Sequence, residues 1–312
     1  MTPLEIKKPK VSVIVPTYQR GRLFLMQCLD SLYSQTYSNF EIVIVDDNPS
    51  DSEYSKEVLY TINHFNQKNI KYIKTKNNLG SALARNKGIL IAEGKYITFL
   101  DDDDLYLPQK IQSQIEYMLT HALDMSFTDL VLCRMDDKTV DLRRHDYIDN
   151  CSNESLIKMH LVHNITGTST FMIERDKLLE IGMFPDVILS EDYYLMESAI
   201  QNNLKIGYLS MAYVKARRHN FGGESFSERK IKGEKLLYQN KKKSFYLLTF
   251  AQRLQVLSRH LAVMAVSYYR NKRLFMAAIY ALSSFIVSPG FILHEVLRTK
   301  SAVKQYNKTD KK

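Results

Sequence analysis

Four short apolar runs, spaced by segments of helical period, restrict this chain more than any other feature. VSVIV (11–15), FEIVIVDD (40–47), IKYIKT (70–75) and KYITFL (95–100) each have the length of one strand. The first is rich in β-branched residues and is followed by Pro16, which reads as a strand buried on both faces. Between the runs, Leu25, Leu29, Leu32 and Tyr33 recur at helical spacing, and residues 50–67 and 81–92 read as two further helices. Beyond them Pro108 suits a first helical position, with Ile111, Ile115, Met118 and Leu119 along one face. Repeated βα units predict an α/β fold, a Rossmann-like, mostly parallel sheet flanked by helices.

That topology puts function at one rim, because ligands of open α/β sheets bind beyond the carboxyl ends of the strands. Three strands end in Pro16-Thr17-Tyr18, in Asp46-Asp47-Asn48 and in the run Asp101, Asp102, Asp103 and Asp104. Neither G-x-G-x-x-G nor G-x-x-x-x-G-K-[ST] occurs, so the rim has no glycine-rich grip on phosphate. It offers carboxylates, which meet a diphosphate only through a cation. Hard divalent ions such as Mg²⁺ or Mn²⁺ take one or two carboxylates and complete their shell with phosphate oxygens and water. An acidic helix start accounts for one or two aspartates. Four directly after a buried strand exceed it.

Charge divides the chain. Residues 226–312 hold 18 Lys and Arg against 4 Asp and Glu, and residues 1–225 hold 25 against 30. We therefore expect an acidic globular domain over 1–225 and a basic helical extension over 226–312. In that extension Leu257, Leu261, Met264 and Tyr268 form one stripe, and Phe275, Ile279, Leu282 and Ile286 another. Residues 274–293 carry no charge, but Ser288-Pro289-Gly290 interrupts them. A helix hairpin packed in the protein or lying at a membrane interface is expected rather than a span, with Arg270, Lys272, Arg273, Arg298 and Lys300 suited to anionic headgroups. Cys28, Cys133 and Cys151 form no metal pattern, and MTPLEIKKPK lacks the apolar stretch that export needs. A cytoplasmic setting follows as the expectation, peripheral at the inner face of the plasma membrane where the extension docks.

The order VSVIVPTYQR, FEIVIVDDNPSD, NNLGSALARNKGILIAEGKYITFLDDDD, GTSTFMIERDKLLEIGMFP and SEDYYLM resembles glycosyltransferase family 2, whose members have the GT-A nucleotide-sugar fold. The resemblance implies that Pro16, Thr17 and Tyr18 line the base and ribose, and that Asp47, with Asp46 beside it, hydrogen-bonds the base. It puts Arg85 and Asn86 near the nucleotide. Asp101 and Asp103 match the family's Asp-x-Asp, Asp101 towards the ribose or sugar and Asp103 towards the metal, with Asp102 at the variable position. It makes Asp192 the catalytic base, supported by Glu191, whereas the residues alone equally describe a charged first helical turn after an N-cap at Ser190. His219, beside a Gly-Gly loop, reads either as a further metal ligand or as a structural or exposed histidine. Arg217 and Arg218 would face the diphosphate or an anionic acceptor. GTST (167–170) reads either as a strand start at the floor of the site or as a small-residue turn.

The resemblance further implies an inverting transfer from a nucleotide-diphosphate sugar, with UDP the commonest nucleotide, to a glycan or lipid-linked glycan in bacterial surface-polysaccharide assembly. Processive members carry Gln-x-x-Arg-Trp after the base. This chain has no tryptophan, so single addition is expected. A sugar nucleotidyltransferase would need a glycine-rich loop after the first strand, which VPTYQRGR does not supply. A nucleic-acid-binding protein would be repelled by the acidic rim, so no nucleic-acid partner is expected.

Overall fold

The computed structural model describes residues 8–218 and 228–309. The strands are β1 (Val11–Thr17), β2 (Phe40–Asp46), β3 (Ile70–Lys74), β4 (Tyr96–Phe99), β5 (Leu105–Tyr106), β6 (Met125–Thr128), β7 (Leu130–Arg134), β8 (Thr139–Arg143), β9 (Met172–Glu174), β10 (Ile206–Leu209) and β11 (Val214–Arg218). The helices are α1 (Arg22–Tyr33), α2 (Glu53–Phe65), α3 (Ser81–Ile91), α4 (Lys110–Thr120), α5 (Asn153–His163), α6 (Arg175–Glu180), α7 (Glu191–Gln201), α8 (Glu228–Lys243), α9 (Phe250–Arg270), α10 (Leu274–Val287) and α11 (Pro289–Thr309). They fall into two compact units. One comprises Met1–Leu130, Gly167–Pro185 and Asn202–Ala216; the other comprises Val131–Thr166, Asp186–Gln201 and Arg217–Lys312.

The first unit holds a seven-stranded sheet in the order β10-β6-β9-β4-β1-β2-β3. β1 pairs in parallel with β2 and β4, and β2 with β3. β9 is antiparallel to both β4 and β6, which makes the sheet mixed but mostly parallel. Val11, Val13, Ile14 and Val15 have no exposed surface, as the β-branched run predicts for a central strand. On α1, Leu25, Leu29 and Leu32 are buried, and on α4, Ile111, Ile115 and Met118. Leu119, expected on that face, is exposed. α4 begins at Lys110, two residues beyond Pro108. α2 starts at Ser52, whose hydroxyl accepts from the Ser55 N–H at 3.2 Å, and ends on left-handed Asn66. α3 lies close on the sheet because residue 88 is glycine. A Cβ there would stand 2.5 Å from Ile14 Cγ2.

Chain direction positions the site. After β1, β2 and β3 are laid down to one side, the chain returns to place β4 on the other side of β1. The reversal opens a crevice beyond the carboxyl ends of β1 and β4. Thr17 ends β1 there, and the aspartate run follows β4.

In the second unit, β7 and β8 are sheet neighbours and the rest is helical. One core gathers Leu161, Val162, Leu248, Val256 and Phe291, and another Ile231, Met264, Tyr268 and Ala277. Met264 and Tyr268, from the first predicted stripe, are buried as expected. The second stripe is not: Phe275, Ile279, Leu282 and Ile286 are all exposed. Among the described residues no single helix is long and apolar enough to cross a membrane.

Candidate active site

The aspartates after β4 are pinned by the neighbouring elements rather than splayed into solvent. Thr17 Oγ1 donates to Asp102 Oδ2 at 2.6 Å. Arg20 spans two of the carboxylates, with Nε 3.3 Å from Asp102 and Nη2 2.8 Å from Asp103. Arg85, from α3, reaches Asp101 at 2.6 Å. Ser169 Oγ donates to Asp104 at 3.3 Å, and the Asp104 N–H donates to the Asp101 carbonyl at 3.0 Å, closing the turn. Asp102, Asp103 and Asp104 are buried, while the Asp101 side chain is 38% exposed, so Asp101 is the member of the run open to a ligand. Burial and the adjacent Asp103 push the Asp102 carboxyl up to about 7, against the opposing pull of Thr17 and Arg20.

Beneath the run lies a fully buried lysine. Lys110 Nζ donates to the Tyr106 hydroxyl at 2.8 Å and to Thr98. Burial drives its pKa well down. The Tyr106 hydroxyl in turn donates to the Phe99 carbonyl at 2.5 Å, which holds the strand end from which the run departs.

The other rim residues divide by what they touch. Tyr18 is 41% exposed, with its ring available to stack. Asp46 is fully buried and accepts from Ser55 at 2.6 Å, Asn48 at 2.8 Å and Tyr72 at 2.9 Å, with Lys74 at 3.2 Å. Burial alone would raise its pKa, and those hydrogen bonds hold it below the ordinary value. Asp47 accepts the Leu79 and Gly80 N–H groups, each at 2.9 Å, and the Thr75 hydroxyl at 2.7 Å. It ties the loop before α3 to the end of β2. Asn86 pairs both ways with the backbone of Phe184, at 2.8 and 3.0 Å, and fixes the segment after α6. GTST resolves as a turn: Gly167 has φ 125° and Thr168–Thr170 form a 3-10 turn before β9.

Arg20 escaped the sequence reading. Its partners lie 82 residues away in the chain, and an arginine two positions beyond Tyr18 carries no motif that would signal the clamp.

The second unit carries the Glu-Asp pair. Glu191 and Asp192 open α7, partly exposed. Asp192 Oδ1 accepts the Tyr193 N–H at 2.8 Å, which orients the carboxylate. Ser190 has φ 66°, and its carbonyl accepts from Tyr193 and Tyr194, so its backbone departs from the extended form of the N-cap expected there. Below the helix start, His160 Nε2 meets the Tyr193 carbonyl at 3.0 Å and its ring stacks on Tyr193. Burial and the nearby Lys241 bring its pKa down to about 3. Arg143, at the end of β8, stands in the field of Asp192, Asp141, Arg218 and Arg259; crowding by protein and by Arg218 lowers its pKa. The Arg-Arg pair at 143–144 belongs to no motif, which is why it gave no signal in the sequence. Arg218 reaches Asp141 at 3.6 Å. His219 lies outside the described residues.

Among the described residues no three His, Cys, Asp or Glu side chains form a protein-only cation cage. Mg²⁺ and Mn²⁺ sites built on substrate phosphates need only one or two carboxylates. The run supplies carboxylate oxygens of that kind, with Asp101 exposed at the rim.

A doubly wound sheet with an Asp-x-Asp at its switch point defines the GT-A class of nucleotide-sugar enzymes. The chain belongs to glycosyl transferase family 2, whose model matches residues 12–181. It is 32% identical over 186 residues to the putative teichuronic acid biosynthesis glycosyltransferase TuaG of Bacillus subtilis, covering 59% of this chain and 69% of that protein. To the UDP-Glc:alpha-D-GlcNAc-diphosphoundecaprenol beta-1,3-glucosyltransferase WfgD of Escherichia coli it is 27% identical over 228 residues, covering 71% and 81%. Its fold matches the crystal structure of S. aureus TarS 1-349 in complex with UDP-GlcNAc with a TM-score of 0.56 at 19% identity, over 88% of this chain and 91% of that one.

Proposed function

We propose that this glycosyltransferase moves a sugar from a nucleoside-diphosphate sugar, UDP-linked by preference, to a hydroxyl of a glycan or lipid-linked glycan, with inversion at the anomeric carbon. The observation that carries the reading is the pinned aspartate run at the switch point, with Asp101 open and Asp102 and Asp103 clamped by Arg20. The names of TuaG and WfgD support surface-polysaccharide assembly and a lipid-linked acceptor. UDP is favoured by WfgD and by the TarS complex.

In this reading Pro16, Thr17 and Tyr18 form the nucleotide wall, with Tyr18 against the base. Asp47 borders the base, and the buried Asp46 supports it. Arg85 orients Asp101 towards the donor sugar, and Asn86 holds the Phe184 segment beside it. Asp103 is the metal ligand, with His219 a second candidate. A bound Mg²⁺ or Mn²⁺ stabilises the charge that develops on the departing nucleoside diphosphate. The Asp192 carboxylate takes the proton of the acceptor hydroxyl as that oxygen bonds to the anomeric carbon. The bond from that carbon to the diphosphate breaks in the same displacement, so the configuration inverts without a protein nucleophile. Glu191 supports the base. The basic helices of 226–312 hold the enzyme at the membrane where a lipid-linked acceptor resides.

Thermal stability with UDP, GDP, CDP and dTDP, each with Mn²⁺ or EDTA, tests the donor half. A ligand of the folded state raises the melting temperature by mass action. The expected result is a rise with UDP that requires metal; a rise with another nucleotide reassigns the donor. No rise with any of them removes the aspartate run from nucleotide binding.

A further inference from the structure

Helix α10 turns its apolar side chains outward. Its 14 residues, LFMAAIYALSSFIV, contain no charge, and its buried positions are Ala277 and Ser284. The inward face is held to α9 by reciprocal hydrogen bonds: Ser258 Oγ donates to the Ser284 carbonyl at 2.8 Å, and Ser284 Oγ to the Ser258 carbonyl at 2.7 Å. Every exposed position is apolar: Leu274, Phe275, Ala278, Ile279, Ala281, Leu282, Phe285 and Ile286. Phe275 is 78% exposed and Ile286 69%. A water-facing helix shows the reverse pattern, and a contiguous apolar face of this length marks a contact surface.

We propose that the outward face of α10 is a membrane-docking surface, lying in the interfacial plane of an anionic phospholipid bilayer. At about 1.5 Å per residue the helix is roughly 21 Å long, short of the ~30 Å hydrocarbon core. The chain bends by 103° at its end, between Leu274–Val287 and Pro289–Lys304, so α11 does not continue the axis of α10. Charge selects the occupant. Residues 226–312 carry 18 basic against 4 acidic side chains, and exposed Lys272 stands two residues before the helix. That balance attracts anionic headgroups and opposes bringing two copies of this segment together. A second copy would also need a polar rim and interfacial hydrogen bonds, which the exposed positions of α10 cannot supply. An interfacial helix needs only apolar residues on one side and basic residues near the headgroups.

The proposal extends the reading of a lipid-linked acceptor but rests on surface binding, not on turnover. Loss of transfer with vesicle binding retained would count against the reaction alone. The full chain has no tryptophan, so Phe275→Trp supplies a single indole reporter. We expect its emission to shift to the blue on phosphatidylcholine vesicles containing phosphatidylglycerol. Lipids brominated near the headgroup should quench it more than lipids brominated at the chain end. The pair Leu282→Glu and Ile286→Glu, both at exposed positions, should weaken partitioning by at least about ten-fold at an unchanged melting temperature. Lys272→Glu should reduce the preference for phosphatidylglycerol. An emission indifferent to vesicles overturns the proposal. So does a blue shift that grows with protein concentration without lipid, because a second copy would then cover the face. An equal shift on uncharged vesicles overturns its anionic part.

Discussion

The chain presents two groups of carboxylates, and they differ in burial. The run at 101–104 is mostly buried and clamped by Thr17, Arg20, Arg85 and Ser169, contributed by distant parts of the first unit. Glu191 and Asp192 sit partly exposed at the start of α7, where Asp192 takes a hydrogen bond from the next backbone N–H. A group that binds a cation and a diphosphate gains from fixed position, and its crowded charge is relieved when the ligand arrives. A base must reach a hydroxyl and carry its proton away. On the proposed reading, the difference in burial sets a group that binds apart from one that reacts.

The largest test of that contrast is Asp192→Asn. It should lower kcat by about 100- to 10,000-fold and leave nucleotide affinity unchanged, as read by single-turnover transfer and a calorimetric titration with UDP. Equal loss of binding and turnover would erase the distinction. Next in size, Asp103→Asn should weaken Mn²⁺-dependent UDP binding by at least about ten-fold, with metal-independent binding unaffected. A variant titrating like the native protein would move the ligand to another member of the run.

Arg20→Ala sharpens the comparison from the side of the clamp. It removes charged hydrogen bonds worth about 2 kcal/mol from Asp102 and Asp103, so the metal-free protein should melt earlier. Mn²⁺ should then raise its Tm more than that of the native chain. An equal rise in both would show that the guanidinium does not stand in for a cation.

The smallest effect is a difference in pH slope. Asp102 is raised from 3.8 to about 7, so across that window the folded chain holds a proton the unfolded chain has lost, and stability falls as pH rises. His160 is lowered from 6.5 to about 3. The unfolded chain takes up its proton first, so this contribution is complete above 6.5 and is lost as pH falls. Each slope is at most about 1.4 kcal/mol per pH unit, and between 3.8 and 6.5 they oppose. In EDTA, Asp102→Asn should leave the histidine slope alone and make Tm climb more steeply with pH. A profile parallel to that of the native protein would mean the Asp102 carboxyl behaves alike in the folded and unfolded chain.

Much of the first unit was legible because its signals are local. A β-branched run bounded by Pro16 is a central strand wherever it falls, and Leu25, Leu29 and Leu32 can face only one way on a helix. The three residues of β9 are too few to show a period, so its antiparallel insertion between β4 and β6 left no trace in the sequence. Arg20 was hidden because a clamp is defined by its partners, and those are remote in the chain. The stripe Phe275, Ile279, Leu282 and Ile286 was visible as a period. A period identifies one face of a helix but not what lies against it, and here Ser284 rather than the stripe turned inward. For Asp192 the residues alone allowed a charged helix start, and the assignment as base came from the family.

The helix that carries Asp192 depends on chain that follows it in sequence. The Asn240 side chain of α8 holds Glu197 of α7 at 2.8 Å, and the buried Lys241 Nζ holds the Leu161 carbonyl of α5 at 2.9 Å. The second unit is assembled from three stretches interleaved with the first, and the third begins at Arg217. A ribosome therefore releases β1 to β4 and the aspartate run well before α8, whereas β9 and β10 of the same sheet come later. Translation thus sets an order in which the aspartate run precedes the contacts that hold α7.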